Sequence, residues 1–500
     1  MKILTSEQIR VVDAETIKWE GIPSLTLMKQ AATAFYNRFV ENYPRKEIAV
    51  LIFSGVGNNG GDGLVVARML NKSGYNVMLY VVEYSDKYSE DCAHNLRRAK
   101  AENVPNKKII TDIDIPDPNQ YDVVIDAIFG TGLSREVTGV AKTVIDSINE
   151  CGKPVYSIDM PSGMFPDRKT SFAVRATETV TFQIPKLALF LPENKDYTGN
   201  VSIVPIGLNE EAIAEAESNI FFTEYEEIRA LLKPLGRFAH KGTEGHALII
   251  GGSLGKIGSV CLASKAALKT GCGLVTAYLP KCGMPVIQSF LPEAMAVEDN
   301  HPERISYIGY DLLPDAIGIG IGMGQQAETE DAFHYFLKNN KAPLVIDADG
   351  LNLLAKHPKW LAYLPSRTIL TPHPKELSRL IGMWSDDYDK IQKTRFFANE
   401  NDLVVVIKGA YSLIIDADNI YMNSTGTPAL ATAGSGDVLT GMITSLLAQG
   451  YKSTEAARVG VYLHGLTADL TQKSIHPRSF TAGDIIENIG NAYLNLEKKR

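Results

Sequence analysis

Two hydrophobic patterns alternate along this chain. Short, nearly continuous apolar runs such as residues 48–54 (IAVLIFS) and 76–82 have the length of a strand, and a strand covered on both faces shows this pattern. Between such runs apolar residues recur at helical spacing, as in the segment that carries Leu64, Ala67 and Leu70. Strands that alternate with helices predict a doubly wound, parallel α/β sheet, whose ligands bind beyond the carboxyl ends of its strands.

The first half of the chain fits this pattern. Thr5 and Gln8 predict a capping box for a helix over 9–17, and a second helix is expected over 25–40. A polar, glycine-rich loop, 55–63 (GVGNNGGDG), is expected between the first strand and the next helix. The predicted strands of this half are 48–54, 76–82, 121–127, 154–159, 179–182 and 201–204.

The second half repeats the pattern after an acidic segment, 207–219, that is poor in large apolar residues. That composition predicts a linker, and we expect two domains, 1–215 and 216–500. The predicted strands are 246–251, 316–321, 344–349, one that carries Lys408-Gly409 (VVVIKGAYSLII) and 419–422. The predicted helices are 259–268, one after Gly434, 454–473 and 482–497.

Composition narrows the class of protein. The 500 residues are 45% apolar and 22% charged, which is ordinary for a soluble globular protein. The formal net charge of −8 argues against nucleic acid or a membrane as a partner. Five cysteines without CxxC spacing predict reduced thiols and a cytoplasmic location. No signal peptide or membrane span is expected.

The segment 423–441 (NSTGTPALATAGSGDVLTG) has the clearest chemistry. It predicts a strand, a small-residue loop and a helix with Asp437 in its first turn. Free N–H groups and the helix dipole attract phosphate there, and Gly434 and Gly436 let an anion approach. Asp437 then suits a general base for phosphoryl transfer from a nucleotide. The alternative is an ordinary capping aspartate.

The glycine-rich loop of the first half also has two interpretations. Residues 55–60 satisfy GxGxxG after a strand, and Glu83 ends the next strand, as in an NAD-dependent oxidoreductase. The side chains of Asn58, Asn59 and Asp62 argue against it, because a plain dinucleotide loop uses mainly its backbone. These side chains would instead serve a ligand or a cation.

Further polar residues follow the other strand ends of this half. Asp126 and Asp159 end two predicted strands, Ser162 follows in MPSG, and Lys186 comes after another strand. Each acid alone fits a helix cap. Because parallel strands end at the same edge of the sheet, these groups and Asn59 are expected to converge.

Several motifs of the second half together resemble a known family. GSGD around Asp437, Lys408-Gly409, TPHPKE at 371–376 and HKGTEGHALIIGGSLGKIGS at 240–259 are similar to the ribokinase-like half of the bifunctional NAD(P)H-hydrate repair enzymes. The resemblance implies that the substrate contacts Gly258, Gly324, His373 and Asp437. It implies that the nucleotide contacts Lys408, Gly409, Ala410, Tyr411, Ser412, Gly434, Ser435 and Gly436. Two departures are Ser259, where the family mostly has alanine, and Ser412, where it often has threonine.

The first half resembles the epimerase domain of the same family, also found alone as the apolipoprotein A-I binding protein. NNGGDG, the GTGLSRE segment after Asp126, and IDMPSG carry the resemblance. It implies a potassium ion held by Asn59, Asp126 and Ser162, and Asp159 and Lys186 are candidates for the epimerisation base. The implied substrate contacts are Asn58, Asn59, Gly60, Gly61, Asp62, Gly130, Thr131, Gly132, Leu133, Ser134, Arg135, Glu136 and Asp159.

The resemblance implies repair of hydrated NADH and NADPH. The first domain would interconvert the two epimers of the hydrate, and the second would use ADP or ATP, with Mg²⁺, to drive water out of the S form. A homo-oligomer acting on small molecules is expected. The alternatives are a ribokinase-like kinase of a vitamin precursor fused to a nucleotide-binding domain, the oxidoreductase above, and a binding protein without catalysis.

Overall fold

Two sheets organise the chain, and a computed structural model describes residues 1–498. The chain divides into two compact units. The first holds Met1–Ser218 together with Asp386–Tyr388, and the second holds Asn219–Ser385 and the chain from Asp389 onward. The predicted domain boundary between 215 and 216 stays a prediction about pieces that fold independently. None of the helices within 1–498 is both long and apolar enough to cross a membrane.

The sheet of the first unit has seven strands, all parallel, in the order β3-β2-β1-β4-β5-β6-β7. Its strands are β1 Ala49–Ser54, β2 Asn76–Val82, β3 Asn106–Ile109, β4 Val123–Ala127, β5 Val155–Ile158, β6 Glu178–Phe182 and β7 Asn200–Val204. Its helices are α1 Ser6–Glu20, α2 Ser24–Asn42, α3 Asn58–Lys72, α4 Glu90–Ala101, α5 Val140–Glu150, α6 Lys195–Thr198 and α7 Glu210–Glu215.

The second unit has a ten-stranded sheet in the order β11-β10-β9-β12-β13-β14-β15-β16-β17-β8, antiparallel only where β16 meets β15 and β17. Its strands are β8 Ile220–Phe222, β9 His246–Ile250, β10 Leu274–Pro280, β11 Met295–Asp299, β12 Ala316–Ile319, β13 Leu344–Ile346, β14 Thr368–Leu370, β15 Leu403–Ile407, β16 Leu413–Ile415 and β17 Ile420–Met422. Its helices are α8 Tyr225–Leu231, α9 Ile257–Lys269, α10 Met284–Phe290, α11 Ala327–Asn339, α12 Asp349–Lys356, α13 Pro374–Ile381, α14 Asp387–Glu400, α15 Ser435–Ala448, α16 Ser453–Thr471 and α17 Ala482–Glu497. The first two residues of α14 belong to the first unit.

The predicted fold class, a doubly wound α/β sheet in each half, is confirmed. The reason is visible in β1, where Val50 and Ile52 face one hydrophobic cluster and Leu51 and Phe53 face the other. A strand buried on both faces needs apolar residues at every position, not at alternate ones. The capping box that opens α1 at Thr5 also forms as predicted.

Two predicted loops are helical. The segment NNGGDG forms the first turns of α3, which begins at Asn58. A Cβ on Gly60 would lie 2.0 Å from the Gly55 carbonyl oxygen, so the glycines here allow close packing and do not end a helix. The predicted linker 207–219 contains α7, which Asn209 caps and whose Ile213 is buried. A single buried isoleucine in so short a helix is too weak a periodic signal for the helix to be predicted from the sequence.

Candidate active sites

The first candidate site lies where the winding of the seven-stranded sheet reverses, between β1 and β4. This is the position at which open α/β sheets bind ligands. Gly57 is the N-cap of α3 and makes no side-chain capping bond. The first intrahelical bond is made by the Gly61 amide, to the Gly57 carbonyl at 3.0 Å. The amides of Asn58, Asn59 and Gly60 precede it and have no carbonyl to bond within the helix, as an anion site requires.

The Asp126 carboxylate, at the end of β4, is fully buried among neutral donors. It accepts hydrogen bonds from Ser157 Oγ and Ser162 N, both at 2.8 Å, and from Ser162 Oγ at 2.5 Å. Burial raises the pKa of this carboxyl, and the bonds from Ser162 and Ser157 oppose the rise. Among residues 1–498 no lysine or arginine forms an ion pair with it. Its negative charge therefore lacks a protein cation.

Asn59 brings the helix and the loop after β4 together. It is buried, and its amide nitrogen has no hydrogen-bond partner within the described part of the chain. A Cβ on Gly130 would lie 3.2 Å from Asn59 Oδ1. Gly130 thus lets the loop lie directly against the Asn59 side chain.

Asp159 and Lys186 form a buried ion pair. Lys186 Nζ donates to Asp159 Oδ1 at 2.7 Å, to Thr181 Oγ1 at 2.9 Å and to the Phe182 carbonyl at 3.1 Å. These bonds use all three donors of the ammonium. Asp159 has φ of +65°, a conformation that residues other than glycine adopt rarely and that is often found at functional sites. The two candidate bases therefore lie in direct contact.

The carboxyl groups of Asp62 and Asp13 lie close enough to this pair to interact with its charges. Burial raises the pKa of Asp62 well above its usual range, and the nearby charges of Asp159 and Asp13 add to the rise. Burial raises the pKa of Asp13 to about 6, and the Lys186 ammonium opposes part of that shift. Sequence reasoning missed Asp13. The available signal was an acid on α1 directly after the buried Val12.

The predicted substrate loop 130–136 is only partly at the site. Gly130, Thr131 and Leu133 are half-buried, whereas Gly132 and the end of the loop, residues 134–136, are exposed. The Ser134 carbonyl accepts a bond from Arg168 Nη2 at 2.9 Å. The structure therefore brings the start of this loop to Asn59 but leaves Ser134, Arg135 and Glu136 in solvent.

The second candidate site lies at the N-terminus of α15 in the second unit. Gly434 is the N-cap, with φ of +83°, and Asp437 is the third helical residue. The N-cap residue makes no side-chain capping bond. Burial raises the pKa of Asp437 to about 6, and the Ser259 side chain on α9 lies close enough to the carboxyl to oppose part of that rise. The capping alternative for Asp437 therefore finds no support in its contacts.

Lys408 lies beside this helix end. Its Nζ is 2.8 Å from Asp347 Oδ1, and a Cβ on Gly436 would lie 3.5 Å from the same Nζ. The Asp347 side chain is almost fully buried just past β13, and its Oδ2 accepts from Thr440 Oγ1 at 2.8 Å. An ammonium therefore faces the glycine that the sequence assigned to nucleotide binding. Asp347 falls within the predicted strand 344–349, and sequence reasoning assigned it no role.

The loop after Lys408 adjoins the TPHPKE segment. The Lys408 amide donates to the Pro372 carbonyl at 3.0 Å, and Ser412 Oγ closes the loop by bonding the Gly409 carbonyl at 3.2 Å. Gly409 and Ala410 are exposed, and Tyr411 is half-buried. The hydroxyl of Ser412 thus performs a local structural task that threonine could also perform.

His373 is the N-cap of α13. Its Nδ1 accepts from the amides of Lys375 and Glu376 at 3.1 and 3.2 Å. Its side chain is 48% exposed, and Nε2 is 3.5 Å from Glu376 Oε1. The ring therefore has a structural task at one nitrogen and reaches solvent at the other side.

Small residues complete the floor of this site. Gly258, in the first turn of α9, has open space where a Cβ would be. Gly324 has φ of +82°, and its amide donates to Asp349 Oδ2 at 2.9 Å. Ser435 lies next to the buried His464, and burial lowers the pKa of that histidine to about 4, so it is neutral. Gly258 thus lies on the same helix as Ser259, and Gly324 bonds the first residue of α12.

Comparison with known proteins covers both units. The family model described as NAD(P)H-hydrate dehydratase matches residues 247–491, and the model described as YjeF-related protein N-terminus matches 24–188. The bifunctional NAD(P)H-hydrate repair enzyme of Moorella thermoacetica is 33% identical over 100% of this chain and 98% of its own length. The enzyme of the same name from Coxiella burnetii is 33% identical over 97% of this chain and 98% of its own.

Among solved structures, the ADP/ATP-dependent NAD(P)H-hydrate dehydratase from Bacillus subtilis, co-crystallised with ATP and Mg²⁺, is 29% identical. It covers 56% of this chain and 100% of its own, with a TM-score of 0.49.

Two α/β units, each with an Asp–Lys ion pair beyond its strand ends, define a two-domain α/β protein with a candidate site in each unit. The chain belongs to the bifunctional NAD(P)H-hydrate repair enzymes, which its identity to relatives over the full length establishes. The predicted family and its two activities, epimerase and dehydratase, are confirmed.

The oxidoreductase, vitamin-kinase and binding-protein alternatives are therefore set aside. In the structure Glu83, which the oxidoreductase hypothesis assigned to a ribose, is 2.7 Å from Lys108 Nζ and also bonds Tyr88.

Proposed function

We propose that the second unit dehydrates the S hydrate of NADH and NADPH after phosphorylating its ring hydroxyl, with Asp437 as the general base. The observation that carries this proposal is the Asp437 carboxylate, which serves no cap and has its pKa raised to about 6 by burial. A base near neutral pKa works best at physiological pH. The helix N-terminus at Gly434, Ser435 and Gly436 supports phosphate binding.

The chemistry has two steps. Asp437 accepts the hydroxyl proton while the hydroxyl oxygen takes the terminal phosphoryl group of ADP or ATP, and the shortened nucleotide leaves. Hydroxide is a poor leaving group, whereas phosphate departs readily with the C–O bonding electrons. Loss of a proton from the neighbouring ring carbon then forms the double bond of the reduced nicotinamide. Gly258, Gly324 and His373 would hold the substrate.

Lys408 and the exposed loop from Gly409 to Ser412 would hold the nucleotide. Within 1–498 no group of three His, Cys, Asp or Glu side chains is arranged to hold a metal ion. The Mg²⁺ of our proposal would therefore enter with the phosphates of ADP or ATP, which supply most of its ligands in such sites.

For the first unit we propose that Asp159 and Lys186 act together as the acid–base pair of epimerisation. Their contact at 2.7 Å, their burial and the strained backbone of Asp159 support this. The residues Asn58 to Asp62 and Gly130 to Glu136 would contact the hydrate.

The potassium site also fits the residues. Asp126 is a buried carboxylate that forms no ion pair with a lysine or arginine of residues 1–498, Ser162 bonds it directly, and the buried Asn59 side chain faces Gly130 in the loop that follows β4. Such hard oxygen ligands suit an alkali cation, and a bound K⁺ would supply positive charge near the substrate phosphates. Asn59, Asp126 and Ser162 would hold it.

The decisive experiment incubates the full chain with a mixture of both hydrate epimers and either ADP or ATP. We expect the absorbance of the reduced nicotinamide to return, with both epimers consumed and one phosphate released per NAD(P)H formed. Omitting K⁺ should slow consumption of the R epimer only. Nucleotide-independent recovery would contradict the proposed phosphorylation.

We further propose a homo-oligomer in the cytoplasm. Four of the five cysteines are buried free thiols, which supports a reducing compartment. Light scattering on the purified chain measures the oligomeric state, and a monomer at working concentration would contradict this part.

A further inference from the structure

The ion pair between Asp347 and Lys408 has a role that the assignments above do not give it. We infer that Asp347 is a positioning residue, which holds the Lys408 ammonium over Gly436 so that it stabilises the phosphoryl group in transfer. This inference rests on the proposed function of the second unit. The ends of two strands and one helix meet at this ion pair.

The Asp347 carboxylate is bonded on every side. Oδ1 accepts from Lys408 Nζ and from the Ala348 amide, both at 2.8 Å, and Oδ2 accepts from Thr440 Oγ1 at 2.8 Å. Asp347 and Lys408 lie 61 residues apart on strands separated by β14, whereas Thr440 belongs to α15. One carboxylate therefore joins the lysine to the helix whose N-terminus carries Asp437.

The backbone around Asp347 is held rigidly. Ala348 has φ of +50°, a conformation that alanine adopts rarely. A Cβ on Gly320 would lie 2.1 Å from the Asp347 carbonyl oxygen, so β12 and the end of β13 are in close contact. Strain of this kind persists only where the surrounding structure enforces it, and it is common at functional sites.

The lysine has donors left for a ligand. An ammonium carries three N–H groups, and in the described part of the chain Lys408 Nζ uses one, on Asp347. Lys408 is about a fifth exposed, whereas the Asp347 side chain is 3% exposed. The buried partner thus fixes the lysine, and its Nζ lies 3.5 Å from where a Cβ on Gly436 would be.

This geometry gives the two acids of the site different tasks. Asp437 accepts the hydroxyl proton, and the terminal phosphoryl group moves from the nucleotide to the hydroxyl oxygen while its charge spreads over its oxygens. A preorganised cation at that point acts on the transition state more than on the bound nucleotide. Asp347 Oδ2 lies 3.7 Å from where a Cβ on Gly436 would be, but both carboxylate oxygens already accept bonds, from Lys408, Ala348 and Thr440. We therefore expect Asp347 to act through Lys408.

The test compares Asp347→Asn, Lys408→Met and the double variant in the full chain. We expect each single variant to lower the dehydratase kcat roughly 100-fold, the size typical of one lost oxyanion donor. The nucleotide KM should rise by a smaller factor, because Lys408 also contacts the bound nucleotide. The double variant should be no slower than Lys408→Met alone. Thr440→Val, which removes the hydroxyl that fixes Asp347, should reduce kcat less, and Thr440→Ser should restore it.

Asp299→Asn is the matched control. Asp299 is a fully buried carboxylate of the same unit that accepts bonds from His301, Ser306 and Tyr307. It should change the melting temperature without a selective loss of kcat. Epimerase turnover, measured for every variant, shows whether the first unit remains folded and active.

Two results would overturn the inference. One is a kcat for Asp347→Asn within about three-fold of wild type while Lys408→Met is inactive. The other is a double variant slowed by the product of the single losses, which would show that the two residues act independently. Wild-type protein that never uses a nucleotide would defeat the proposed function itself, and that outcome is read before any variant is made.

Discussion

At the scale of single residues, Asp437 offers the sharpest test. Asp437→Asn keeps the size of the side chain but removes the base, so dehydratase kcat should fall about a hundred- to ten-thousand-fold. Wild-type kcat/KM should rise from pH 5 to pH 7, because the pKa of Asp437 is about 6 and only its ionised form accepts a proton. The variant should lack that rise.

The stability of the same variant has a defined sign. A carboxyl whose pKa is raised on folding, here from 3.8 to about 6, binds its proton more tightly in the folded state. Stability therefore falls as the pH rises between these two values, and the full loss is present at higher pH. At pH 7.5, Asp437→Asn should therefore melt no lower than wild type in calorimetry. A marked drop in melting temperature with retained turnover would show that Asp437 is structural.

Asp126 tests the cation site. Asp126→Asn removes the buried charge that a potassium ion would neutralise, so epimerase turnover and its dependence on K⁺ should both be lost while dehydratase turnover continues. The matched control is Glu178→Gln, a buried carboxylate of the same sheet that pairs with Arg38 at 2.7 Å. Epimerisation is followed by chromatography of the two hydrates. Normal, K⁺-dependent turnover in Asp126→Asn would exclude this site.

At the scale of elements, the start of α3 depends on one glycine more than on its neighbour. A Cβ on Gly60 would strike the Gly55 carbonyl oxygen at 2.0 Å, whereas one on Gly61 would meet the end of the flexible Met28 side chain at 2.6 Å. Gly60→Ala should thus destabilise the protein by about 1–3 kcal/mol or more and abolish epimerisation. Gly61→Ala should cost less, because Met28 can move.

Thermal melting and epimerase assays of the two variants decide the point. Equal losses in Gly60→Ala and Gly61→Ala would show that helix propensity, not the contact with Gly55, sets the requirement.

Element types could be predicted from the sequence where one physical signal dominated. Strands buried on both faces could be predicted from their continuous apolar runs. The capping box predicted at Thr5 and Gln8 is present in the structure. NNGGDG was wrongly predicted as a loop. Composition alone does not show that a glycine is needed because a carbonyl group packs directly against it. The pairing of Asp347 with Lys408 depends on contacts between distant strands, and Asp13 on the packing of α1, so neither is visible in local sequence.

At the scale of the whole molecule, the division of the chain suggests a cut. α7 belongs to the first unit, where Lys2 Nζ bonds the Ala216 carbonyl at 2.6 Å and Ser218 Oγ bonds the Ile3 carbonyl at 2.7 Å. A break between Ser218 and Asn219 should therefore leave two folded pieces, unlike a break at 209–215.

The activities of the two pieces provide the measurement. The second piece alone should dehydrate only the S hydrate, and adding the first should release the R hydrate. Consumption of both epimers by the second piece alone would contradict the assignment of epimerisation to the first.

The pairing of β8 with β17 has a consequence for how the protein is made. Ile220 pairs with Ile420, and Phe221 stacks on Tyr421 at 5.5 Å. β8 is thus the first strand of its sheet to leave the ribosome, and its partner follows about 200 residues later. At about 5–20 residues per second, that delay is roughly 10–40 s. During this time Ile220, Phe221 and Phe222 await a strand that does not yet exist, so nascent chains shorter than about 420 residues should be the ones that engage chaperones.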